Sequence, residues 1–315
     1  MVKVRAPELN GTTAWINGEV KLKELKGKKV VLLDFFELTC VNCIRTFPYL
    51  KEWWNRYKDK GLLIVGIHTP EFERSKDMDF VKRELKRFGI SWPVAVDNEY
   101  KIWDAYANMY WPRKYLIDKD GYIVYDHIGE GAYTETEIEI QRLLRDLNPS
   151  LELPEPIKPL RPEDDLNRVC YPRTPETYCG YFRGKFAGKI LPDIRTAYNH
   201  PIVQGDGVIS LVGEFVVESE RLIFIDGKLV LNFKGNELNA VMFGDEFVEV
   251  RINGKPIPEN MRGLDIRVLE GKTGLLPKDY RMYNIIKTEK WGIYTLEIFG
   301  KGTEIYAFTF GSCAV

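Results

Sequence analysis

The sequence predicts two domains of different class: an α/β domain with a mixed sheet and flanking helices, followed by an all-β, jelly-roll-like sandwich. Three observations predict this order. Apolar runs alternate with helical stripes over residues 1–148, prolines cluster between 149 and 162, and apolar residues recur with a period of two after 168. A chain of 315 residues also exceeds what one hydrophobic core usually serves.

In the first domain, residues 1–148, strands and helices alternate along the chain. The Asn17-Gly18 dipeptide predicts a hairpin turn, Ser75 an N-cap, and Thr134 with Glu137 a capping box. The predicted strands are 30–36, 62–67, 92–96, 115–117 and 122–128, and helices are predicted from Cys43, near 76, near 98 and near Thr134. Strand–helix–strand units followed by a hairpin and a last helix predict a mixed sheet with helices on both faces.

The proline-rich segment, residues 149–167, is predicted to be a stiff extended linker, because proline interrupts helices and central strands. Beyond it, residues 168–315 contain no long helical stripe, and turns such as Asp226-Gly227 and Asn253-Gly254 separate many short apolar runs. The predicted strands are 208–212, 215–217, 221–225, 229–233, 238–243, 247–252, 265–269, 283–286, 294–299 and 305–310. This pattern predicts an antiparallel sandwich.

Charge and composition exclude several classes of partner. The formal net charge of −1 gives no electrostatic footprint for nucleic acid or for an anionic membrane. No stretch approaches the roughly 18 apolar residues of a membrane helix, and the N-terminus lacks the apolar core of a signal peptide. We therefore expect a cytoplasmic protein from the sequence as it stands, or an extracytoplasmic one if the sequence has been trimmed.

The most informative motif is Cys40-Val41-Asn42-Cys43, which follows an apolar strand and opens a helix. The helix is predicted by an apolar stripe: Phe47, Leu50, Trp53, Trp54 and Tyr57. At this junction the first sulfur would lie at the positive end of the helix dipole, which stabilises thiolate over thiol. The second would lie one turn further on, within reach of a mixed disulfide. The motif predicts dithiol–disulfide exchange, with Cys40 as nucleophile and Cys43 as resolving thiol.

Half of a zinc site is the alternative interpretation of two such cysteines. It would need two more ligands, but the sequence has no second Cys-x-x-Cys, and His68, His127 and His200 show no ligand spacing. The chain also lacks a phosphate-binding loop and a Gly-x-Gly-x-x-Gly motif. We therefore expect neither a metal nor an organic cofactor.

The first domain resembles the thioredoxin superfamily, and most of all the thioredoxin-like region of DipZ-type proteins, relatives of the TlpA group. The matching segments are Val31 to Phe36, Thr39 to Pro48, Ile67 to Phe72, Tyr110-Trp111-Pro112 and His127 to Gly131. The resemblance implies a thioredoxin fold over nearly all of residues 1–148. It also implies protein thiols or disulfides as substrates and a separate electron donor or acceptor.

The resemblance further implies roles for residues around the cysteine pair. Asp34 occupies the position where thioredoxins keep a buried carboxylate that accepts a proton, although a carboxylate at a strand edge, satisfied by a loop, is the structural alternative. Pro112 would be the cis-proline facing the dithiol, whereas a trans bond is the default for any isolated proline. Trp111, with its free backbone, and Val41 and Asn42 between the cysteines, would contact the substrate.

Three residues near the pair have two interpretations each. Glu37, three residues before Cys40, stands where the DipZ-like pattern has an uncharged residue, and it could oppose thiolate formation or point to solvent. Arg45 could stabilise a thiolate or be a surface cation. His68 could line the pocket, but a structural histidine is the better expectation.

Residues 168–315 resemble the C-terminal sandwich of DipZ-type proteins, through Thr174 to Tyr178 and Tyr306 to Gly311, and look similar to carbohydrate-binding modules. Architecture alone does not establish a ligand, so a glycan or protein partner is a weaker expectation. For the remaining cysteines, a Cys179–Cys313 disulfide is predicted because the first and last strands of a jelly roll are often neighbours. Cys170–Cys179, or three reduced thiols, are the alternatives.

The sequence thus predicts a thiol–disulfide oxidoreductase. A peroxidase of the same superfamily is one rival, but peroxidatic sites place threonine three residues before the reactive cysteine, where this chain has Glu37. The other rival is a glycan- or protein-binding protein with an accessory redox domain.

Overall fold

The computed structural model describes residues 4–165, 167–203 and 205–314. The chain forms two compact units: unit 1 extends to Asp164 and unit 2 begins at Asp165. Unit 1 has a mixed sheet with flanking helices, and unit 2 is built from antiparallel strands. The predicted order, an α/β fold followed by an all-β sandwich, is confirmed.

Within residues 4–164, unit 1 forms a seven-stranded mixed sheet. Its strands are β1 (Val4–Arg5), β2 (Ala14–Ile16), β3 (Val30–Phe36), β4 (Leu62–His68), β5 (Val94–Val96), β6 (Arg113–Ile117) and β7 (Tyr122–Ile128). They lie in the order β1-β7-β6-β3-β4-β5-β2, and only the β3–β4 and β4–β5 pairs are parallel. The central strand, β3, is buried along its whole length. Strands covered on both faces are continuous apolar runs of this kind.

The α-helices that the structure describes in unit 1 flank this sheet: α1 (Val41–Tyr57), α2 (Met78–Phe88), α3 (Lys101–Ala105) and α4 (Tyr133–Leu147). On one face of β3, Phe35 lies in a cluster with Trp103 and Tyr115. On the other face, the Phe36 ring lies 5.6 Å from the ring of Phe47 in α1. Successive side chains of a strand point to opposite faces, so Asp34 shares the α1 face with Phe36.

Two predicted local signals, the hairpin turn after β2 and the N-cap of α2, are wrong. Asn17 and Gly18 do adopt positive φ, but β2 pairs with β5 and not with its neighbour in sequence, and the Asn17 amide donates to the carbonyls of Ile90 and Trp92. The N-cap of α2 is Asp77, whose carboxylate accepts from the Phe80 N–H at 2.7 Å, while Ser75 lies in a preceding 3-10 turn.

The predicted capping box of α4 is also wrong, because its acidic residue is used elsewhere. The helix is preceded by Ala132 and has no side-chain cap. Glu137 is buried and accepts hydrogen bonds from the hydroxyl of Tyr57 and from the N–H of Ile157. Glu137 therefore anchors the segment that follows α4 and does not cap the start of that helix.

That following segment, residues 149–164, belongs to unit 1 and is not a free spacer. The Gln141 amide donates to the carbonyl of Pro154, and the Arg56 guanidinium donates to the carbonyl of Glu155. At its end, the Tyr49 hydroxyl donates to Asp164 at 2.9 Å. Prolines keep the segment extended, so its carbonyls are free to accept these hydrogen bonds from α1 and α4. The expected linker is therefore packed over most of its length.

The described part of unit 2 forms twelve strands. They are β8 (Val169–Cys170), β9 (Thr177–Tyr178), β10 (Thr196–Asn199), β11 (Ile209–Val217), β12 (Leu222–Gly244), β13 (Val248–Ile252), β14 (Lys255–Pro256), β15 (Arg267–Leu269), β16 (Lys272–Leu275), β17 (Arg281–Gly300), β18 (Thr303–Gly311) and β19 (Cys313–Ala314). All pairings between these strands are antiparallel. Their inward side chains form one hydrophobic core.

Several short strands predicted for unit 2 are parts of longer ones. β12 is continuous over 23 residues and β17 over 20, and their pairing shifts register near Gly235 and Leu238. Such bulges bend a strand without ending it, so that one strand can contribute to different parts of a sandwich. The predicted turn at Asp226-Gly227 lies inside β12, where Gly227 pairs with Gly213. A side chain at Gly213, with φ of 115°, would meet the Asp226 carbonyl oxygen at 2.5 Å.

The predicted Cys179–Cys313 disulfide is wrong, as are its two alternatives: the structure pairs Cys170 with Cys313. The strands at the two ends of unit 2 are indeed neighbours, but the first of them is β8, which lies before Cys179. β8 pairs with β19 so that Cys170 stands opposite Cys313, with a Cα–Cα distance of 4.0 Å. Cys179 is a free, buried thiol in the core.

We expect removal of this disulfide to destabilise unit 2. The bond spans 143 residues of sequence, so its loss returns a large loop entropy to the unfolded chain. The double variant Cys170→Ser/Cys313→Ser should lose about 2–5 kcal/mol of unfolding free energy, measured by denaturant unfolding under oxidising conditions. With Cys40→Ser and Cys43→Ser present in both proteins, so that the other disulfide cannot form, dithiothreitol should destabilise the protein that keeps Cys170 and Cys313 toward this value and leave the one that lacks them unchanged. An equal effect of dithiothreitol on both proteins would contradict the pairing.

Candidate active site

The candidate nucleophile, Cys40, lies at the junction of β3 and α1. It is the N-cap residue of α1, with extended backbone angles, and its carbonyl accepts the N–H of Ile44 at 3.0 Å. Its side chain is half-buried, so the sulfur is accessible. No side-chain oxygen caps the helix here, and the Cys40 sulfur stands near the positive end of the helix dipole. Both features are what a reactive thiol requires.

Cys43 lies one turn along α1 and is fully buried. Burial raises the pKa of the Cys43 thiol well above its usual range, and the hydrogen bond that this thiol donates to Cys40 raises it further. The backbone N–H of Glu37 acts in the opposite direction by donating to Cys43. Cys43 is therefore a protonated thiol at neutral pH, and it needs a base before it can attack a disulfide.

Asp34 is placed to be that base. It is buried on the α1 face of β3, and among the described residues its Oδ1 has no hydrogen-bond partner. Burial raises the pKa of Asp34 to about 7, and the positive charge of Lys114 partly offsets this effect. Its charge in turn raises the pKa of Cys43, so the two groups interact. A carboxyl that titrates near neutral pH beside a buried thiol can take its proton.

Lys114 completes the buried cluster and was not predicted. It lies in β6 directly opposite Asp34 in β3, and it is fully buried. Its ammonium lies 3.4 Å from the carbonyl oxygen of Gly129 and 5.8 Å from the ring centre of Tyr133. Burial lowers the pKa of Lys114, whereas the charges of Asp34, Cys43 and Glu130 raise it. One signal in the sequence could have indicated a buried lysine. Lys114 lies two positions after Pro112 and directly before three largely apolar strand residues.

The Trp111-Pro112 segment faces the nucleophile. The Trp111–Pro112 peptide bond is cis, and the Trp111 carbonyl oxygen lies 3.9 Å from Cys40 Sγ. The Trp111 indole donates to the carbonyl of Thr69 at 3.0 Å, which fixes this loop against the end of β4. Of the two residues between the cysteines, Asn42 is half-buried, but Val41 is only 7% exposed. The Val41 side chain therefore offers little surface to a substrate.

Glu37 is buried, so the interpretation in which it points to solvent is wrong. Its carboxylate accepts from the N–H of Thr39 at 2.5 Å and from the Thr39 hydroxyl, and it also bonds the Ser75 side chain. Burial raises the pKa of Glu37 to about 7, while these hydrogen bonds lower it. The carboxyl thereby ties down the turn that leads to Cys40. Peroxidatic sites have a threonine at this position, and this chain has Glu37 instead.

Arg45 and His68 both have partners other than the cysteines. Arg45 forms an ion pair with Glu130 at 3.2 Å. His68 is buried, and one of its ring nitrogens lies 3.1 Å from the carbonyl oxygen of Ser75. Burial lowers the pKa of His68 to about 4, so the ring is neutral and structural.

Within residues 4–165, 167–203 and 205–314, no group of three or more His, Cys, Asp or Glu side chains is arranged to hold a metal ion. In the same part of the chain, no helix has the length and apolar character needed to cross a membrane.

Two different family models match the chain, one in each of its two units. The Redoxin family model matches residues 1–143, and the model described as a thioredoxin-like C-terminal domain matches residues 174–311. Protein DipZ of Mycobacterium bovis is 32% identical over 97% of this chain and 43% of its own length. The chain therefore spans less than half of DipZ.

Two shorter proteins each match less than half of this chain. The thiol-disulfide oxidoreductase YkuV of Bacillus subtilis is 33% identical, over 44% of this chain and 93% of its own length. A solved thioredoxin-like protein in its oxidised form is 31% identical, with a TM-score of 0.43, over 46% of this chain and 97% of its own.

We expect the pH dependence of the second exchange to report Asp34. Because Asp34 must be ionised to accept the Cys43 proton, the rate at which Cys43 resolves a Cys40 mixed disulfide should rise with pH through about 7. Asp34→Asn should slow this step on the order of 100-fold at pH 8 and abolish the rise near pH 7. Stopped-flow measurement of thiol release after rapid formation of the mixed disulfide isolates this step.

The variant Lys114→Met supplies an independent measurement of the same base. Removing the cation that lowers the pKa of Asp34 should move the midpoint of the profile upward, by about one pH unit. Lys82→Met, at an exposed position of α2, is the matched control and should leave the midpoint in place. A midpoint that moved downward in Lys114→Met, or that persisted in Asp34→Asn, would show that another group accepts the proton.

Proposed function

The chain belongs to the thioredoxin superfamily, among its TlpA- and DipZ-like members, and on this premise we propose that it is a thiol–disulfide oxidoreductase acting through Cys40 and Cys43. One observation carries the proposal: a half-buried sulfur at a helix N-terminus lies 3.9 Å from the Trp111 carbonyl oxygen, and a second, buried thiol donates a hydrogen bond to it. A dithiol in this arrangement can form a mixed disulfide and then resolve it.

In the reducing direction, the Cys40 thiolate attacks one sulfur of a substrate disulfide. An S–S bond forms between Cys40 and that sulfur, and the other substrate sulfur leaves as a thiolate that takes a proton from solvent. Asp34 then accepts the proton of Cys43, and the Cys43 thiolate attacks Cys40 Sγ. The first substrate sulfur leaves, two electrons have passed to the substrate, and Cys40 and Cys43 are joined. The reverse sequence oxidises a substrate dithiol.

The buried charges favour the resolving step. The desolvated carboxyl of Asp34 is a far stronger base than an exposed one, because burial raises its pKa to about 7. Lys114 keeps that pKa from rising further, so part of the carboxyl remains ionised at neutral pH. The base can therefore both hold and release a proton under ordinary conditions.

The proposed substrates are protein thiols and disulfides, with a second thiol protein as electron donor or acceptor. The relatives named thiol-disulfide oxidoreductases support this class. A glycan or protein ligand of unit 2 stays a prediction, and a binding screen with the full chain carrying Cys40→Ser and Cys43→Ser tests it. Saturable binding would support it, and no binding would argue against it.

The compartment is part of the same proposal. The Cys170–Cys313 bond would persist in an oxidising compartment or in the disulfide-rich cytosol of a hyperthermophile. This favours a location outside a mesophile's reducing cytosol. Acid quenching of native cells followed by alkylation should find both cysteines blocked as a disulfide. Full labelling of both would place the protein in a reducing compartment.

Single cysteine variants test the catalytic assignment. Cys40→Ser should abolish insulin reduction, because no nucleophile remains at the helix N-terminus. Cys43→Ser should instead accumulate a stable mixed disulfide, because the resolving thiol is lost, and mass spectrometry should place the adduct on Cys40. Cys179→Ser, which changes a buried thiol of unit 2, is the control and should retain the wild-type rate. Wild-type reduction by Cys40→Ser would refute the proposed function.

A further inference from the structure

One end of unit 1 contains a cleft that the redox chemistry does not use. Its volume is about 250 Å³, and it lies between the N-terminal segment, the 3-10 turn Leu22–Leu25, the start of β3 and the turn after β6. Val31, near the start of β3, lines the cleft, whereas Cys40 follows the end of the same strand. A strand rises about 3.3 Å per residue, so Val31 and Phe36 alone lie roughly 17 Å apart. The cleft is therefore a site distinct from the cysteine pair.

The floor of this cleft is apolar and continuous with the core of unit 1. Val31 and Ile117 stand opposite each other on β3 and β6, and each is only 2% exposed. Leu22 is buried, and Leu25 is half-buried. All four side chains belong to one hydrophobic cluster or pack against it. A ligand on this floor therefore needs an apolar part to benefit from the contact.

The rim of the cleft is cationic. Arg5, Lys23 and Lys26 are exposed, and Lys29 is half-buried. The Arg5 guanidinium donates to the Tyr122 hydroxyl at 2.9 Å, and the Lys29 ammonium lies 3.4 Å from a backbone carbonyl oxygen. Within residues 4–165, 167–203 and 205–314, none of these four cations forms an ion pair. Their positive charge is therefore available to an anion from solution.

The two carboxylates in the lining are held by the backbone. Glu8 accepts from the N–H groups of Leu22 at 2.7 Å and of Lys23 at 3.1 Å. One oxygen of Asp118 accepts from two N–H groups of the turn that follows it, at 3.0 Å and 2.9 Å. Both carboxylates thus stabilise the backbone around the cleft, and the four cations outnumber them. The lining keeps an excess of positive charge, which favours an anionic ligand.

Two of the cations converge on a residue that has no side chain. A Cβ atom placed on Gly121 would lie 3.0 Å from Cε of Lys26 and 3.8 Å from Nη1 of Arg5. Two like charges held this close without a counter-charge repel each other, and an anion between them would remove that repulsion. We therefore expect the charged group of a ligand at this point of the rim.

We propose that the cleft binds a small organic carboxylate with a compact apolar body. The apolar body lies on Leu22, Val31 and Ile117, and the carboxylate accepts hydrogen bonds from Arg5 and Lys26. Hydrogen bonds between charged groups are stronger than those between neutral groups. The volume of the cleft lies below that of pockets for drug-sized ligands, so the ligand is small. This binding does not depend on the proposed function, because the reacting sulfurs take no part in it.

A titration of the full-length protein with 4-phenylbutyrate, followed by the chemical shifts of the backbone amides, tests the proposal. We expect saturable shifts that are largest near Val31, Ile117 and Gly121, with a Kd on the order of 1 mM. The neutral analogue 4-phenylbutanamide has the same apolar body and should bind about 10-fold more weakly, because it lacks the charge. Inorganic phosphate has charge but no apolar body, and it should also bind about 10-fold more weakly.

The double variant Arg5→Gln/Lys26→Gln should weaken the binding of 4-phenylbutyrate about 10-fold and bring its Kd close to that of the amide. The double variant Lys28→Gln/Lys82→Gln removes the same charge at exposed positions outside the lining. It is the matched control and should keep the wild-type Kd.

Shifts that do not saturate, or that centre on another part of the chain, would overturn the proposal. So would an equal affinity for the carboxylate and the amide, or an unchanged Kd in Arg5→Gln/Lys26→Gln. Phosphate binding as tight as that of 4-phenylbutyrate would show a site for simple anions and would overturn it as well. The comparison of the three ligands uses the wild type alone, so it decides the matter even if a variant fails to fold.

Discussion

The proposed chemistry of this protein depends on a carboxyl group kept out of water. Asp34 lies in the central strand of unit 1, with both faces of the sheet covered, and burial raises its pKa to about 7. The positive charge of Lys114, on the neighbouring strand, lowers the pKa of Asp34, so that the buried carboxyl stays partly ionised. A buried carboxyl without a counter-charge would stay protonated, and a solvated one would be too weak a base for a buried thiol.

The dithiol needs two opposite environments within one helical turn. Cys40 must be reachable by a macromolecule, and Cys43 must be shielded so that only the mixed disulfide is attacked. The junction of β3 with α1 meets both needs, because the N-cap position faces outward while the fourth residue of the motif faces the sheet. Glu37 holds the intervening turn by bonding Thr39, and Trp111 holds the opposite loop by bonding Thr69.

Sequence patterns that act locally predicted much of this arrangement. The apolar run of β3, the stripe of α1 and the position of Cys40 and Cys43 depend on neighbours in sequence, and the structure agrees with them. The role of Lys114 was not predicted, because it depends on Asp34, the residue opposite it on another strand. The Cys170–Cys313 pair was missed for a related reason, since it depends on which strand begins unit 2.

Errors in the predicted boundaries have a similar origin. Asp226-Gly227 resembles a turn locally, but pairing with β11 keeps it in a strand. Thr134 and Glu137 have capping-box spacing, but Tyr57 and Ile157 bind the Glu137 carboxylate instead. The proline-rich segment 149–164 has the composition of a linker, and helices α1 and α4 hold it against unit 1. In each case tertiary hydrogen bonds outweighed a local preference.

Infrared difference spectroscopy of the protein, recorded between its reduced and oxidised forms at pH 7, tests the central claim most directly. Because the charge of Asp34 and the Cys43 thiol interact, joining Cys43 in a disulfide should change the pKa of Asp34 and therefore the fraction of it that is protonated at pH 7. The account predicts a protonated-carboxyl band in the difference spectrum that disappears in Asp34→Asn. An identical band in that variant, or no carboxyl band at all, would contradict it.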